Sequence, residues 1–475
     1  MRPARGGFGL DKTTERLVDF ALDSARTELP AAVRESATAH LVDAVAVAIA
    51  GTAAEPARLA ADLAVRSAAS PGATVIGRRR GVAPEAAAFA NAVMVRTYDW
   101  NDGMQAKAGG HPSDMIPGLF ATAEVTRSSG ADLLTAITLA YEILGGLGAA
   151  TDRANFDQGL FMGAATALGC GVLLGLDRER MGEAASLALT TALPLGVHRW
   201  GGALAMTKGG STAFAVKNGV FCAQLAQAGF TSAPEPFEGY YGLFHVTGEF
   251  EPRLPVSPGG PSVMEMAHQK PYPAESQCLG LLDLAPRIRE WAPVEEIESI
   301  ELTMADHALR HVCDPAKYDP RTRETADHSL PYMLAVALVD GGITLDSYRP
   351  ERVLDPALRP IMRRIRATSS PEFDAIRARL DGVTRAHPIR AVFRTTDGRE
   401  RVEDVRYHRG HFRDPMTRDD VDDKFDRATR GVVGAARRAE LRADWWGIAE
   451  AADAGEVIGR LADLGPSTSE DEENR

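Results

Sequence analysis

The chain has few of the residues that would place it in a specialised protein class. Its 475 residues include only four cysteines, and aromatic side chains make up 6% of the sequence. No two cysteines stand in a C-x-x-C spacing, so the sequence favours neither a disulfide scaffold nor a zinc or iron–sulfur site. Because Cys170 and Cys222 lie in apolar helical sequence, we expect them to be buried, reduced and inert.

Positive charge is also in deficit, since 53 Lys and Arg face 65 Asp and Glu and leave a net charge of −12. A nucleic-acid binder needs a basic surface, so we expect no nucleic-acid partner. A locally basic pocket for an acidic metabolite remains compatible with this balance. We find no run that approaches the roughly 18–20 apolar residues of a membrane span and no secretory signal pattern, so we expect a cytoplasmic protein without a membrane partner.

What the sequence contains in abundance is helical periodicity. Apolar residues recur at steps of three and four along the first 260 residues. The pattern predicts helices over Val33–Ala50, Leu133–Leu147, Asp157–Leu176, Arg180–Leu195 and Ser211–Ala228, and Asp419–Leu464 is helical in character again. We therefore predict a mainly α protein whose large all-helical domain spans residues 1–264, with residues 411–464 packing back on it.

Residues 265–410 differ in character and predict a smaller α+β domain. Ile297–Met304 alternates apolar and polar residues, as a half-buried strand does. Asp397-Gly398 predicts a hairpin with a loop longer than two residues. The remaining predicted elements are strands over Ile361–Thr368, Ile389–Thr396 and Val402–Tyr407, and helices over Pro331–Asp340 and Glu372–Arg379. The charged residues 465–475 predict a disordered acidic tail.

Polar groups concentrate at four junctions between a loop and a helix. The first junction, residues 96–114, contains Asp99, Asp102 and His111, and a loop histidine near carboxylates is a natural general base or acid. Ser113 and Asp114 in the same segment are explained equally well as helix caps. In the second junction Lys208 precedes two glycines and a helix, which suits an anion, although a solvated loop lysine fits the pattern as well.

The third and fourth junctions, residues 269–277 and 315–332, add Lys270, His328 and Tyr332. Taken singly, such lysines and tyrosines are usually surface residues or buried phenols with a partner. Taken together, the four junctions carry mostly cationic or hydrogen-bond-donating groups. Such a set predicts a small di- or tricarboxylate as substrate.

The motifs at these junctions closely resemble those of the MmgE/PrpD family. YDWND, HPSD, TKGGSTAFAVKNGV, KPYPAES and RETADHSLPYMLAVAL occur in the family's order and spacing, and the likeness runs from about residue 15 to 460. That family includes 2-methylcitrate dehydratases, cis-aconitate decarboxylases and iminodisuccinate epimerases. The resemblance implies a helical domain, an α+β lid domain, a homodimer, and chemistry on polycarboxylates that uses no cofactor and no metal.

The resemblance also assigns roles in catalysis. Asp99 matches the first aspartate of the family's D-[FY]-[ND]-D-T motif, and His111 matches the histidine of its HPS motif. Lys208 matches the K-G lysine, Lys270 the lysine before Y-P, and Tyr332 the tyrosine of S-x-x-Y. His111 would move the proton, with Asp99 orienting it or exchanging a second proton. Lys208 and Lys270 would clamp carboxylates, and Tyr332 would donate to a leaving hydroxyl or carboxylate.

The chain departs from the family pattern at three positions. Gly103 replaces the threonine of the aspartate motif, and Gln158 and Gln277 stand where the dehydratase branch commonly has histidines. We predict Asp102, Gln158, Gln277 and His328 as substrate contacts. The leading hypothesis is a hydro-lyase acting on 2-methylcitrate or a similar hydroxy-polycarboxylate. The alternatives are a decarboxylase of the cis-aconitate type, an epimerase, or a catalytically silent binding homologue.

Overall fold

The fold is described here from a computed structural model that covers residues 9–198 and 204–465. The protein is mainly helical, as predicted. Up to residue 266 the chain forms, in order, α1 Lys12–Ser24, α2 Ala31–Gly51, α3 Glu55–Ala64, β1 Ala68–Val75, β2 Arg79–Val82, α4 Pro84–Arg96, α5 Ile116–Thr126, α6 Gly130–Ala150, α7 Gly159–Leu173, α8 Arg178–Thr190, α9 Ser211–Gln227, α10 Phe244–Thr247 and α11 Val263–Met266.

Local sequence explains where the central helices begin. Ser129 and Asp132 form a reciprocal capping box that satisfies free N–H groups at the start of α6. Asp11 and Asp177 accept backbone N–H bonds at the starts of α1 and α8. The middle of the bundle consists of α2, α6 and α7, which are mostly apolar and buried over most of their length because they lie inside it.

This part of the chain is not all-helical, which corrects one prediction. β1 and β2 form an antiparallel pair, with Val75 opposite Arg79. The residues of β1 (AASPGATV) show no period-2 alternation, so periodicity gave no signal there. The pair is instead held by tertiary contacts, because Thr74 donates from both its backbone N–H and its hydroxyl to the Glu124 carboxylate of α5, at 2.6 Å each.

The second part of the chain contains a four-stranded mixed sheet. Its elements are α12 Leu279–Leu282, α13 Ala285–Trp291, β3 Ile297–Met304, α14 Asp306–Val312, α15 Arg323–Ala326, α16 Leu330–Asp340, α17 Pro350–Val353, α18 Leu358–Met362, β4 Ile365–Ser369, α19 Pro371–Ala378, β5 Ile389–Thr395 and β6 Glu400–Val405. The strand order is β4-β3-β5-β6. β4 runs parallel to β3, whereas β5 is antiparallel to both β3 and β6.

The predicted strands of this sheet are confirmed, although β4 is shifted and β6 begins and ends two residues earlier than predicted. β3 has the predicted bounds, and β5 and β6 form the predicted hairpin around Gly398, whose φ is 86°. β4 begins four residues later than predicted because Ile361 and Met362 close helix α18 instead. Over a segment as short as residues 361–368, the apolar side chains fit the helical period and the strand period equally well.

The end of the chain returns to the first group of helices. It forms α20 Arg418–Thr429, α21 Ala435–Trp446 and α22 Ala454–Gly459, and their buried residues join the core of α1–α9. Lys424 of α20 is fully buried, with its Nζ 2.5 Å from Asp43 Oδ1 of α2. Most buried apolar residues between Ala274 and Phe393 form a separate hydrophobic core, whereas Val383 belongs to the first. The division into two domains at the predicted boundaries stays a prediction, and residues 466–475 of the predicted tail lie outside the described residues.

One helix has the length and mean hydropathy of a membrane span, although it contains no unbroken run of 18 apolar residues. α6, Gly130–Ala150, has a mean hydropathy of 1.5 over its most apolar 18 residues. Of that window, 89% is buried inside the fold. A core helix of a globular domain has the same composition, because it is surrounded by apolar neighbours on every side.

All four cysteines are free and buried. Burial raises the pKa of the thiols of Cys170 and Cys313 to about 12, which keeps both protonated at neutral pH. The prediction that Cys170 and Cys222 are buried and reduced is therefore confirmed.

Four histidines, His268, His387, His408 and His411, are buried together where the two parts of the chain meet. The rings of His268 and His408 lie 5.2 Å apart, and those of His408 and His411 lie 5.9 Å apart. Neither ring nitrogen of His387 has a hydrogen-bond partner among the described residues. Burial lowers the pKa of His408 and of His411 to about 4, and that of His387 well below its usual range. These rings are therefore neutral at pH 7.

We expect this cluster to make the protein sensitive to mild acid. An unfolded imidazole titrates near pH 6.5, so between pH 6.5 and 4 the unfolded chain binds more protons than the folded one. Stability should fall as the pH drops through this window, by about 1.4 kcal/mol per pH unit for each such imidazole. Urea unfolding at pH 7.5, 6 and 5 measures the slope. His387→Leu should reduce it, whereas His245→Leu, at an exposed position, should not. Equal slopes for both variants would contradict this account.

Candidate active site

A buried carboxylate, that of Asp99, lies at the centre of the candidate site. Asp99 follows the last turn of α4 in the left-handed region, with φ of 51°, a conformation that aspartate tolerates better than most residues. Arg96, three residues earlier, places Nη1 2.6 Å from Asp99 Oδ1. Lys270 donates from Nζ to the same oxygen and to the Asp99 backbone carbonyl, both at 2.8 Å. Two cations therefore share one carboxylate oxygen in the interior.

The second carboxylate of the site is Asp327, which precedes α16. Lys208 Nζ donates to Asp327 Oδ1 at 2.6 Å and lies 3.7 Å from Asp99 Oδ2. His328 Nδ1 is 2.7 Å from the same Asp327 oxygen, and its Nε2 is 3.7 Å from Asp99 Oδ2. Lys208 and His328 therefore bridge the two carboxylates. All these side chains are buried.

The cations decide the charge state of this cluster. Burial raises the pKa of Asp99, but Arg96, Lys270 and Lys208 outweigh burial and hold that pKa well below its usual range. By the same balance Lys208 and His328 lower the pKa of Asp327 to about 2. Burial and then Lys208 lower the pKa of His328 to about 4. At neutral pH both carboxylates are charged and His328 is neutral.

His111 faces Asp99 from the opposite loop. Its Nδ1 donates to the backbone carbonyl of Asp102 at 2.5 Å, which fixes the ring and leaves the lone pair on Nε2 in the neutral form. That Nε2 lies 3.8 Å from Asp99 Oδ1. The ring is thus oriented by the backbone and directed towards the central carboxylate, as a proton-transfer group requires.

Asp102 lies behind His111 and is surrounded by protein donors. Its Oδ1 accepts bonds from the backbone N–H and hydroxyl of Ser113, at 3.0 and 2.6 Å. Its Oδ2 accepts from Tyr141 at 2.8 Å, and His40 Nδ1 lies 3.0 Å away. Asp102 therefore stabilises the loop that carries His111, and its predicted contact with substrate stays a prediction.

Tyr332 does not join this group of side chains. Its hydroxyl donates to the backbone carbonyl of Ser347, and the ring is fully buried in the second core. Burial raises the pKa of the Tyr332 hydroxyl well above its usual range, so that the hydroxyl stays protonated. No described contact links the hydroxyl to Asp99 or Lys270. The proton-donor role of Tyr332 stays a prediction that requires the bond to Ser347 to break.

The two glutamines that replace family histidines each present a buried amide oxygen. Neither Gln158 Oε1 nor Gln277 Oε1 has a hydrogen-bond partner among the described residues. Gln277 Nε2 donates to Glu275 Oε1 at 3.3 Å. An unpaired buried amide oxygen is a natural acceptor for a ligand hydroxyl. This is consistent with the predicted binding role of both residues, which stays a prediction.

Packing explains the third departure, Gly103. A Cβ atom at this position would lie 2.5 and 2.6 Å from Cε1 and Nε2 of His268, too close for any side chain unless His268 moves. The two residues also exchange backbone hydrogen bonds, at 2.8 and 2.9 Å. The His268 imidazole therefore occupies the space that a threonine side chain would need.

Sequence reasoning missed two central residues, Arg96 and Asp327. Arg96 begins the polar segment that contains Asp99, and its i,i+3 spacing from Asp99 on a helix end was an available signal. Asp327 adjoins His328, but nothing in the sequence places it beside Lys208, 119 residues away. That pairing depends on how the second part of the chain docks on the first.

The described residues offer one group with the chemistry of a metal site. Ligand atoms of Asp99, Asp327 and His328 all lie within 4.8 Å of one another. The same carboxylates already bind Arg96, Lys208 and Lys270, so a divalent cation would have to displace bound ammonium or guanidinium groups. The residues fit a cation-neutralised carboxylate pair better than a metal centre. The absence of a metal in catalysis stays a prediction.

Comparisons with known proteins agree with the sequence motifs. The model of the MmgE/PrpD N-terminal domain matches residues 15–253, and that of the MmgE/PrpD C-terminal domain matches residues 272–446. Cis-aconitate decarboxylase-like protein oryM of Aspergillus oryzae is 24% identical over 94% of this chain and 97% of its own length.

Two relatives named 2-methylcitrate dehydratase match over a shorter stretch. The protein of Escherichia coli is 28% identical over 64% of this chain and 66% of its own length. The mitochondrial protein of Yarrowia lipolytica is 26% identical over 64% of this chain and 62% of its own length. The chain thus spans just under two thirds of these relatives but nearly all of oryM.

The site predicts that the two buried lysines contribute directly to turnover. Lys208→Met and Lys270→Met should each lower kcat/KM at least tenfold, about 1.4 kcal/mol of transition-state stabilisation. Lys107→Met is the control, because Lys107 is exposed and donates a long hydrogen bond to the Ala150 carbonyl, at 3.4 Å. Thermal unfolding of each variant separates lost catalysis from lost folding. Equal activity of all three variants would remove the basis for the clamp.

Proposed function

The chain belongs to the MmgE/PrpD family, and from this membership and the geometry around Asp99 we propose that it is a cofactor-independent hydro-lyase acting on 2-methylcitrate or a related hydroxy-polycarboxylate. Relatives named as dehydratases and as decarboxylase-like support a lyase. One observation carries the proposal. The buried Asp99 carboxylate is held by Arg96 and Lys270, with Lys208 3.7 Å and His111 Nε2 3.8 Å from it.

The lysines retain donors for a substrate carboxylate. An ammonium group has three N–H bonds. Lys270 directs two of them to Asp99, and Lys208 donates one to Asp327. The remaining N–H bonds, in a water-poor interior, can bind the carboxylate next to the carbon that loses its proton. Because charge moves onto that carboxylate in the transition state, donors fixed beforehand stabilise it without reorganisation.

His111 is the group proposed to break the C–H bond. Its Nε2 takes the proton from the carbon next to the bound carboxylate, and the electron pair forms the new double bond as the C–O bond to the hydroxyl breaks. The hydroxyl leaves with a proton from an acid and is released as water. Such proton transfer contributes roughly 10²- to 10⁴-fold, and the cations around Asp99 supply further stabilisation.

Two residues are candidates for the acid that protonates the leaving hydroxyl. Tyr332 was predicted for this role, but its hydroxyl is bonded to the Ser347 carbonyl. Glu275 is the second candidate, because burial raises its pKa even though Lys270 opposes the shift. A carboxyl with a raised pKa can hold a proton and donate it, as a general acid must.

Decarboxylation is the second candidate function. The alignment with the cis-aconitate decarboxylase-like protein covers nearly all of both chains. In a decarboxylation the electron pair of the C–C bond, rather than that of a C–H bond, flows into the same carboxylate-stabilised position. The same cations and the same proton donor then serve the reaction, so this site supports both. An epimerase and a silent binding homologue are the remaining alternatives.

We also propose that the protein is a cytoplasmic homodimer. Exposed apolar side chains gather on and beside α9, where Phe214 is 60% and Phe221 46% exposed and Leu193 is 71% exposed. Such a patch is typical of a surface that another subunit covers. A second copy of the chain is the partner that the family resemblance implies.

His111→Gln tests the proton-transfer role. Glutamine keeps approximate size and hydrogen bonding but cannot shuttle a proton, so substrate binding should persist while kcat falls at least a hundredfold. Steady-state kinetics and calorimetric binding measure the two effects separately. A variant that binds far more weakly but converts bound substrate at the parent rate would make His111 a carboxylate anchor instead.

The reaction itself is tested by incubating the purified protein with 2-methylcitrate, citrate, cis-aconitate and iminodisuccinate in deuterated buffer and following each by NMR. Loss of water is the expected result. Carbon dioxide release would establish the decarboxylase, and deuterium uptake without net conversion the epimerase. The Lys208→Met protein is the matched blank.

We expect activity to persist after exhaustive chelation. Activity that is lost with chelator and restored by a metal would overturn the metal-free mechanism.

A further inference from the structure

Helix α14 carries two histidines that lead outwards from the Asp99 cluster. His311 Nε2 lies 4.0 Å from Glu275 Oε1, and the His311 ring is 5.3 Å from the ring of His328. His307, one turn earlier on α14, stacks on His311 at 6.0 Å. His328 is buried, whereas His307 and His311 are half-buried. This row of rings marks the direction from the two carboxylates towards the surface.

Two arginines, Arg377 and Arg385, lie at the outer end of this row. Arg377 is on α19, which is held against α14 by a bond from the Asp306 backbone N–H to Asp374 Oδ1 at 2.8 Å. Arg385 follows in the segment before β5, and its Nε donates to the Gln105 carbonyl at 3.2 Å. Gln105 belongs to the loop between Asp99 and His111. Arg385 is thus held against the loop that carries His111, and both arginines are close enough to His307 to act on its charge.

The positive charge at this position is incompletely neutralised. Arg377 forms no ion pair within the described residues, and its Nε is buried without a hydrogen-bond partner there. Burial, and then Arg385, lower the pKa of Arg377 to about 10. Burial, followed by Arg377, Arg310, Arg385 and Arg153, lowers the pKa of His307 to about 4.

Nearby acidic groups do not neutralise the positive charge of Arg377 and Arg385. Glu275 and Asp374 act on Arg377 from a distance, and Asp152 acts on Arg385. None of the three forms an ion pair with either arginine among the described contacts. Arg310, by contrast, is paired with Asp306 at 2.8 Å. A half-buried guanidinium without a counter-ion is costly, and an anion bound there would remove the cost.

We propose that Arg377 and Arg385, together with His307, form a subsite that binds an outer carboxylate of the substrate. The inference rests on the proposed function, because the polycarboxylate ligand comes from it. Lys208 and Lys270 would hold the carboxylate next to the reacting carbon. The planar guanidinium groups of the arginines would bind a second carboxylate of the substrate, each through two hydrogen bonds. The subsite therefore favours a tricarboxylate over a monocarboxylate.

The test is calorimetric binding of tricarballylate, an unreactive tricarboxylate, to the intact protein. Arg377→Gln and Arg385→Gln should each weaken binding at least tenfold. Arg379→Gln is the matched control, because Arg379 is an exposed residue just beyond the same helix. Acetate, with a single carboxylate, should bind the Arg377→Gln protein and the parent equally. Thermal unfolding provides a second readout, since Arg377→Gln removes an unpaired charge and should leave the melting temperature unchanged or higher.

The outcomes separate this subsite from the proposed reaction. If no substrate in the NMR panel is converted but Arg377→Gln still weakens tricarballylate binding, the subsite stands and the reaction fails. If substrates are converted but all three variants bind tricarballylate like the parent, the subsite is overturned. A parent protein that binds no tricarballylate also overturns it. A lower melting temperature together with weaker binding would identify Arg377 as a structural residue and overturn the subsite as well.

Discussion

The neutralisation of the Asp99 carboxylate by Arg96 and Lys270 is the interaction on which the rest of the site depends. A lone carboxylate at this depth would take up a proton, because burial raises its pKa. The cations keep it charged, and the charge in turn places Lys208, His111 and His328 within 4 Å of its oxygens. Removing this carboxylate would leave the cations buried without their central partner.

This ionic cluster also joins segments that are far apart in the chain. Asp99 ends α4 in the first core, whereas Lys270 lies between the two cores and Asp327 belongs to the second part. Buried ion pairs add little net stability, because desolvation offsets their attraction, but they penalise any docking that leaves one charge alone. The cluster therefore specifies how the second part of the chain is positioned on the first. The same arrangement assembles the site.

Charge is distributed unequally from the inner to the outer end of the site. At the inner end, Asp99 and Asp327 balance cations that still have N–H bonds to donate. At the outer end, Arg377 and Arg385 have no carboxylate within ion-pairing distance among the described residues. An acidic protein can thus contain a locally basic region, because the net charge of −12 is a sum over the whole chain. The pocket, not the total charge, decides which ligands are attracted.

Features that depend on local periodicity and local motifs could be predicted from the amino-acid sequence. Helices such as α2 and α9, the strand β3 and the β5–β6 hairpin were predicted because their side-chain period and turn residues lie within a few positions of one another. The family motifs likewise singled out Asp99, His111, Lys208 and Lys270, whose side chains the structure brings together. Other features arise from contacts between residues that are far apart in the chain. Strand β1 depends on its hydrogen bonds to Glu124 of helix α5. The Tyr332 hydroxyl bonds to Ser347 because the position of the residue on its helix and the packing of the core direct it there. Asp327 meets Lys208 across 119 residues, a contact between distant segments of the chain that leaves no local signal in the sequence.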